Sequence, residues 1–147
     1  MTQSKYRLLL VEDNEPDIYL TKEAIKSIKS EIDVSVVRDG VEAVQVLSQV
    51  GEFEFEPLPD LVLLDINLPK KNGLEVLKEL RETKKAIGVP IFILSSSNRE
   101  EDVRLAYQYY VNAFLTKPIE FEAFQKFMQL LDEFWLNFVV LPKQIHL

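Results

Sequence analysis

The chain has 147 residues and a formal net charge of −7 at neutral pH, with 17 basic side chains against 24 acidic ones. This length fits one domain with one core, and the negative charge argues against a nucleic-acid partner, which needs a basic surface. The chain has no Cys, which excludes disulfides and thiol chemistry and suits a cytoplasmic protein. No apolar run approaches the ~18 residues that span a bilayer, so we expect no membrane partner.

Five short apolar runs follow one another at similar spacing. They cover residues 7–11, 34–37, 61–64, 90–94 and 113–115. Several are apolar throughout, which is typical of strands in a parallel sheet that is covered on both faces. The alternating order therefore predicts an α/β fold with a doubly wound parallel sheet, (βα)5.

The segments between these runs place apolar residues three or four positions apart, as amphipathic helices do. Pro16 suits the first turn of a helix, and Gly40 and Gly73 stand at the start of two others. Ser97 and Glu100 have the spacing of a capping box, which predicts that the fourth helix starts near Ser97.

The chain after the fifth helical pattern forms an apolar extension. We therefore divide the protein into a domain of residues 1–131 and an extension of residues 132–147. The run 134–142 is strongly apolar, and such a patch usually marks an interface, although it could instead lie back on its own domain. The single His146 is given no role.

Polar residues close four of the predicted strands. Glu12 and Asp13 follow the first strand, Asp65 ends the third, Ser95 ends the fourth and Lys117 follows the fifth. Each alone reads as a helix cap or a surface group. If the strand order is 2-1-3-4-5, however, all of them share the carboxyl edge of the sheet, where ligands bind in open α/β folds.

Three carboxylates placed together at this edge repel one another unless a cation offsets their charge. Oxygen ligands of this kind suit Mg²⁺. Phosphoryl transfer to a carboxylate needs a nucleophile, such a metal, and a lysine and a hydroxyl to hold the phosphoryl oxygens. Asp65 is the candidate nucleophile.

Four motifs together resemble the receiver domain of two-component response regulators, a flavodoxin-like fold with strand order 2-1-3-4-5. The motifs are Val-Glu-Asp-Asn at 11–14, Leu-Leu-Asp-Ile-Asn-Leu-Pro at 63–69 with Gly73, Ile-Leu-Ser-Ser at 93–96 and Phe-Leu-Thr-Lys-Pro at 114–118. The resemblance covers residues 6–131 and implies that Asp65 accepts a phosphoryl group from a sensor histidine kinase. It also implies that Asp13 ligates Mg²⁺ together with Asp65, that Glu12 supports the metal and that Asn67 offers its backbone carbonyl.

The same resemblance implies a switch. Ser95 hydrogen-bonds the phosphoryl group, Lys117 pairs with it, and Phe114 occupies the position of the rotating aromatic residue that alters the face formed by the fourth helix, fifth strand and fifth helix. Pro118 is expected to follow a cis peptide bond. The protein would then catalyse only its own phosphorylation and dephosphorylation.

A narrower resemblance links the long loop 51–60 and the apolar extension to the small single-domain response regulators that work with cyanobacterial phytochromes. It implies a phytochrome-type histidine kinase as partner and a homodimer. The predicted dimer residues are Tyr107, Tyr110, Phe134, Trp135, Phe138 and Val140.

Two alternatives remain open. An Asp-nucleophile phosphatase or phosphotransferase of the haloacid-dehalogenase kind also uses Mg²⁺, but that family carries its nucleophile on an early strand with a second Asp two residues later, where this chain has Asn67. The other alternative is a receiver-like binding module that is never phosphorylated. Turnover of a small phosphate ester would favour the first alternative, and the absence of phosphorylation at Asp65 with any donor would favour the second.

Overall fold

The computed structural model describes residues 6–142. Five parallel strands form one sheet in the order β2-β1-β3-β4-β5. The strands are β1 (Tyr6–Val11), β2 (Ile32–Val37), β3 (Leu61–Asp65), β4 (Ile91–Ser95) and β5 (Ala113–Thr116). The predicted fold and strand order are thus confirmed.

A helix follows each strand. The helices are α1 (Glu15–Ile25), α2 (Gly40–Ser48), α3 (Gly73–Glu82), α4 (Glu100–Gln108) and α5 (Phe121–Leu131), and a short 3₁₀ turn (Gly51–Phe53) precedes β3. The π-helical turn Asp132–Leu136 continues α5.

Side-chain alternation along the central strands builds two core layers. Leu9 and Val11 pack on the side of α2, α3 and α4, whereas Leu8 and Leu10 pack on the side of α1 and α5. Successive residues of a strand point to opposite faces, so an entirely apolar strand such as β1 serves both layers at once.

Local caps start three of the helices. Asn14 accepts a hydrogen bond from the N–H of Asp17 at 3.0 Å, Asp39 caps α2, and Asn72 forms a capping box with Glu75 at the start of α3. These side chains satisfy backbone donors that a helix N-terminus leaves free. Each of these three helices therefore begins directly after its capping residue, at the end of the loop that follows the preceding strand.

The predicted start of α4 at Ser97 is wrong. The helix begins at Glu100 with Arg99 as its N-cap, and no side chain caps it. The N–H of Ser97 instead donates to the Ser95 hydroxyl at 3.1 Å. This bond keeps the chain after β4 in a loop at the sheet edge.

The extension packs partly against its own domain. Leu136 and Leu141 are buried in the core layer of α1 and α5, and the Trp135 ring meets the Phe92 ring edge-on at 4.8 Å between centroids. The Tyr6 hydroxyl donates to the Leu136 carbonyl. The extension therefore contributes Leu136, Leu141 and part of Trp135 to the core of the preceding chain, while His146 lies outside the described residues.

Candidate functional site

The carboxyl ends of β1, β3, β4 and β5 bring the predicted site residues to one edge of the sheet. Asp65 pairs in register with Leu94, and Ser95 pairs with Thr116. Lys117 follows immediately, and its N–H donates to the Ser95 carbonyl at 2.8 Å. Parallel pairing thus turns separation along the chain into proximity in space.

Three carboxylates meet at this edge. One oxygen each of Glu12, Asp13 and Asp65 lies within 4.8 Å of the others. Glu12 and Asp65 are buried, whereas Asp13 is exposed. This arrangement gives a pocket with two buried carboxylates and one exposed carboxylate that a solvated ion can reach.

One oxygen of Asp65 has no protein donor. Asp65 Oδ1 is buried without a hydrogen-bond partner among residues 6–142. A buried carboxylate oxygen left unpaired is costly, and a divalent cation or a transferred group would remove that cost. The three carboxylates therefore fit a hard divalent cation, for which oxygen ligands are the preferred set.

Lys117 supplies the balancing positive charge. Its Nζ lies 2.5 Å from Glu12 Oε1, 2.8 Å from Asp17 Oδ2 and 3.4 Å from Asp65 Oδ2. The side chain is only 11% exposed. Lys117 is therefore shared among three acids, and its contact with Asp65 is the longest.

Burial and charge change the acid–base behaviour of this pocket. Desolvation, reinforced by Asp65 and opposed by Lys117, raises the pKa of Glu12 to about 7. Burial lowers the pKa of Lys117, but hydrogen bonds to Asp17 and Glu12 outweigh it, so that the pKa ends above its usual value. Lys117 therefore stays charged at neutral pH, whereas the Glu12 carboxyl gains or loses its proton near neutral pH.

Sequence reasoning missed Asp17. It lies in the first turn of α1, where an acid usually reads as a partner of the helix N-terminus. No motif distinguishes it from Glu15, two residues earlier in the same turn. Only the observed direction of its carboxylate, toward Lys117, places it in the site.

Gly73 shapes the backbone beside Asp65. Its N–H donates to the Ile66 carbonyl at 2.8 Å, and a Cβ at this position would overlap the Asp65 carbonyl oxygen. Asn67 is exposed in the loop between them. The close return of the chain fixes this loop, which carries the predicted carbonyl ligand.

Ser95 and Phe114 occupy neighbouring strands. Ser95 is 2% exposed, and Phe114 is half-buried against the core layer of α2, α3 and α4. The Phe114 N–H donates to the Tyr107 hydroxyl at 3.2 Å. The predicted switch pair therefore bridges the site edge and α4.

The predicted cis bond before Pro118 is wrong. No cis peptide bond occurs between residues 6 and 142, so Lys117 and Pro118 are joined in trans. Trans is the intrinsically favoured isomer of such a bond by about 0.5–1 kcal/mol, and Lys117 reaches the acidic pocket from it.

The predicted dimer residues differ in exposure. Tyr107, Tyr110, Phe134, Phe138 and Val140 are 50%, 77%, 58%, 80% and 69% exposed. Trp135 is instead half-buried against Phe92. Five of the six side chains thus remain available to a partner, and the interface itself stays a prediction.

Comparison with known proteins identifies the family. Residues 8–129 match the response regulator receiver domain. The chain belongs to this family. The chain is 40% identical over 135 residues to the response regulator Rcp1 of Synechocystis sp., an alignment that covers 92% of each chain.

Solved structures agree with this assignment. The phosphorylated cyanobacterial phytochrome response regulator RcpA superposes with a TM-score of 0.87 at 39% identity, covering 93% of this chain and 98% of that one. The Mn²⁺-bound form of Rcp1 gives a TM-score of 0.85 at 39% identity, with coverage of 93% and 99%. These findings favour a receiver over the haloacid-dehalogenase alternative.

None of the helices between residues 6 and 142 combines the length and the hydropathy of a membrane-spanning segment.

Proposed function

We propose that this receiver domain is a phosphorylation switch in which Asp65 accepts a phosphoryl group from a sensor histidine kinase. The observation that supports this role is the buried, unpartnered Oδ1 of Asp65 within a cluster of three carboxylates. Lys117 stands beside the same residue at 3.4 Å. A nucleophile with a free oxygen, a cation pocket and a fixed ammonium are the parts that phosphoryl transfer requires.

The chain's own residues divide the chemistry. An Asp65 oxygen attacks the phosphorus of a phosphohistidine, the P–N bond breaks as the P–O bond forms, and the imidazole leaves with the bonding pair. Lys117 and the Ser95 hydroxyl then hold phosphoryl oxygens. Dephosphorylation is the attack of water on the same phosphorus, so the protein acts only on its own phosphoryl group.

We propose Mg²⁺ as the metal of the pocket. Asp13, Asp65 and the backbone carbonyl of Asn67 would hold it, with Glu12 supporting it through water. When bound, the metal neutralises charge on the phosphoryl oxygens. A hard oxygen set with few protein ligands suits Mg²⁺, which retains several of its waters.

The output is a shift between two populations of the face formed by α4, β5 and α5. Ser95 moves toward a phosphoryl group on Asp65, and Phe114 fills the space behind it. Tyr107 transmits this change to α4, because its hydroxyl already binds the Phe114 backbone. A phosphoryl group on Asp65 shifts the equilibrium between these two populations only as far as its interactions favour one of them.

The partner kinase is proposed to be of the phytochrome type, since RcpA is described as a phytochrome response regulator and is 39% identical to this chain. A homodimer is proposed from the exposed apolar residues of α4 and the extension. The lack of Cys suits the proposed cytoplasmic location.

Intact-mass analysis after incubation with Mg²⁺ and acetyl phosphate tests the central proposal. The wild type should gain one phosphoryl group, and Asp65→Asn should gain none. Asp60→Asn is the matched control, because Asp60 is also buried but binds the Arg7 N–H at 2.9 Å, at the opposite end of β3. A wild type that gains no phosphoryl group, or an Asp65→Asn variant that still gains one, contradicts the proposal.

A separate assay tests the proposed lack of turnover. The protein should not hydrolyse p-nitrophenyl phosphate repeatedly in the presence of Mg²⁺. Continuous release of p-nitrophenol that disappears in Asp65→Asn would instead show an Asp-nucleophile phosphatase.

A further inference from the structure

Asp17 is an acid of the pocket that the proposed function does not use. Its carboxylate lies 2.8 Å from Lys117 Nζ and comes from α1, whereas Glu12 and Asp65 come from the sheet. Asp17 is closer to Lys117 than Asp65 is, at 2.8 Å against 3.4 Å. The ammonium is thus held mainly by Glu12 at 2.5 Å and by Asp17 at 2.8 Å, and less closely by the phosphorylation site.

Each N–H donor of the Lys117 ammonium already faces an acid. An ammonium has three N–H donors, and three carboxylates stand within reach of Lys117. A phosphoryl oxygen on Asp65 can take over the donor that now faces Asp65 at 3.4 Å, but a close ion pair requires the ammonium to move toward Asp65 and so to lengthen its contact with Asp17 or Glu12. Glu12 is 3% exposed and Asp65 is 6% exposed, whereas Asp17 is 23% exposed. Asp17 loses Lys117 at the lowest cost, because water can reach its carboxylate.

We propose that Asp17 is a positioning residue that holds Lys117 in the unphosphorylated protein and competes with the phosphoryl group for it. This inference rests on the proposed phosphorylation of Asp65. Asp17 acts through Lys117 rather than on the phosphoryl group itself. It sets how readily the phosphorylated state forms, by the stability of the contact that must be broken.

The charge of Asp17 gives two effects of opposite sign. It adds a negative charge to the pocket, which strengthens Mg²⁺ binding and weakens the binding of an anionic phosphoryl group. Asp17→Asn keeps the shape of the side chain and removes that charge. A merely structural contribution to folding would move both affinities in the same direction.

Titration calorimetry with Mg²⁺ alone, and with beryllium fluoride at saturating Mg²⁺, separates these possibilities. Asp17→Asn should bind Mg²⁺ more weakly and the beryllium fluoride mimic more tightly, each by roughly threefold or more. Asp17→Glu should restore both values toward those of the wild type.

Glu15→Gln is the matched control. Glu15 lies in the same helical turn but pairs with Arg38 at 2.8 Å, and its side chain is 69% exposed. The substitution removes the same charge from the same helix N-terminus and should leave both affinities within twofold of wild type.

Three results would overturn the inference: unchanged affinities in Asp17→Asn, weakening of both, or equal effects in Glu15→Gln. Failure of the wild type to bind beryllium fluoride at all would overturn the proposed function itself, and this inference with it. A wild type that binds the mimic alongside an unresponsive Asp17→Asn would reject only the role of Asp17.

Discussion

The Phe114 N–H donates to the Tyr107 hydroxyl across 3.2 Å. β5 is an edge strand that, within residues 6–142, pairs with β4 alone, so donors on its outer side have no neighbouring strand in that part of the chain. The Tyr107 hydroxyl therefore takes the place of a neighbouring strand as acceptor for the N–H of Phe114, the residue that is proposed to switch. Exposed strand edges otherwise favour pairing with other chains.

Tyr107→Phe removes this acceptor and keeps the ring. The free energy of unfolding should fall by about 0.5–1.5 kcal/mol, the usual net contribution of such a bond. Urea denaturation followed by circular dichroism measures it. Tyr110→Phe, at a side chain 77% exposed, should have no measurable effect, and equal losses in the two variants would contradict the assigned role.

Gly73→Ala should destabilise the protein and disturb the pocket. The new methyl group would overlap the Asp65 carbonyl oxygen, and relief requires movement of the backbone that carries the acceptor. We expect a loss of about 1–3 kcal/mol and weaker Mg²⁺ binding, measured by denaturation and calorimetry. Gly88→Ala is the control, because its methyl group would meet Pro142 at an ordinary 3.7 Å. A fully stable Gly73→Ala would refute the tight packing.

The raised pKa of Glu12 predicts how the stability of the metal-free protein depends on pH. Its pKa is raised to about 7 from 4.5, so between these pH values the folded state binds a proton that the unfolded state has lost. Stability from this group is therefore present below about pH 4.5 and declines as the pH rises to about 7. Lys117 does not contribute in this window, because its raised pKa acts only above its usual value of 10.5.

Comparison with Glu12→Gln isolates this contribution. Relative to Glu12→Gln, the wild type should lose unfolding free energy on the order of a few kcal/mol as the pH rises from about 4.5 to about 7. The difference between the two proteins should then remain constant to pH 9. A difference that is independent of pH across the first interval would show that Glu12 is not desolvated.

Neighbouring residues of the extension should behave in opposite ways. Leu141 is 1% exposed and Val140 is 69% exposed. Leu141→Ala should cost about 2–5 kcal/mol in denaturation experiments, whereas Val140→Ala should leave the unfolding free energy of the monomer nearly unchanged. Sedimentation of Val140→Ala tests its predicted dimer contact separately. Similar unfolding losses for both would show that the extension does not pack as described.

The fold could be predicted because its signals are local and redundant. The apolar strands, the helical periodicity and the helix-start signals at Pro16, Gly40 and Gly73 each point to the same alternating order. The proximity of Asp13, Asp65 and Lys117 followed from strand order alone. These features depend on backbone pairing, which sequence patterns describe well.

The missed features depend on side-chain direction. Asp17 and Glu15 are equivalent in sequence, yet one reaches Lys117 and the other reaches Arg38. Ser97 has capping spacing, but its N–H binds Ser95 instead. In the extension, Trp135 and Phe134 are adjacent aromatics with different exposure. Only three-dimensional packing decides among such local alternatives.

The contact between Trp135 and Phe92 gives the protein an intrinsic optical reporter. Trp135 is the single tryptophan of the sequence, and its ring rests on the strand that ends at Ser95. Its emission spectrum therefore reports on the extension without any added dye. Phosphorylation that quenches or shifts this emission would reveal that movement at one end of β4 is felt at the other.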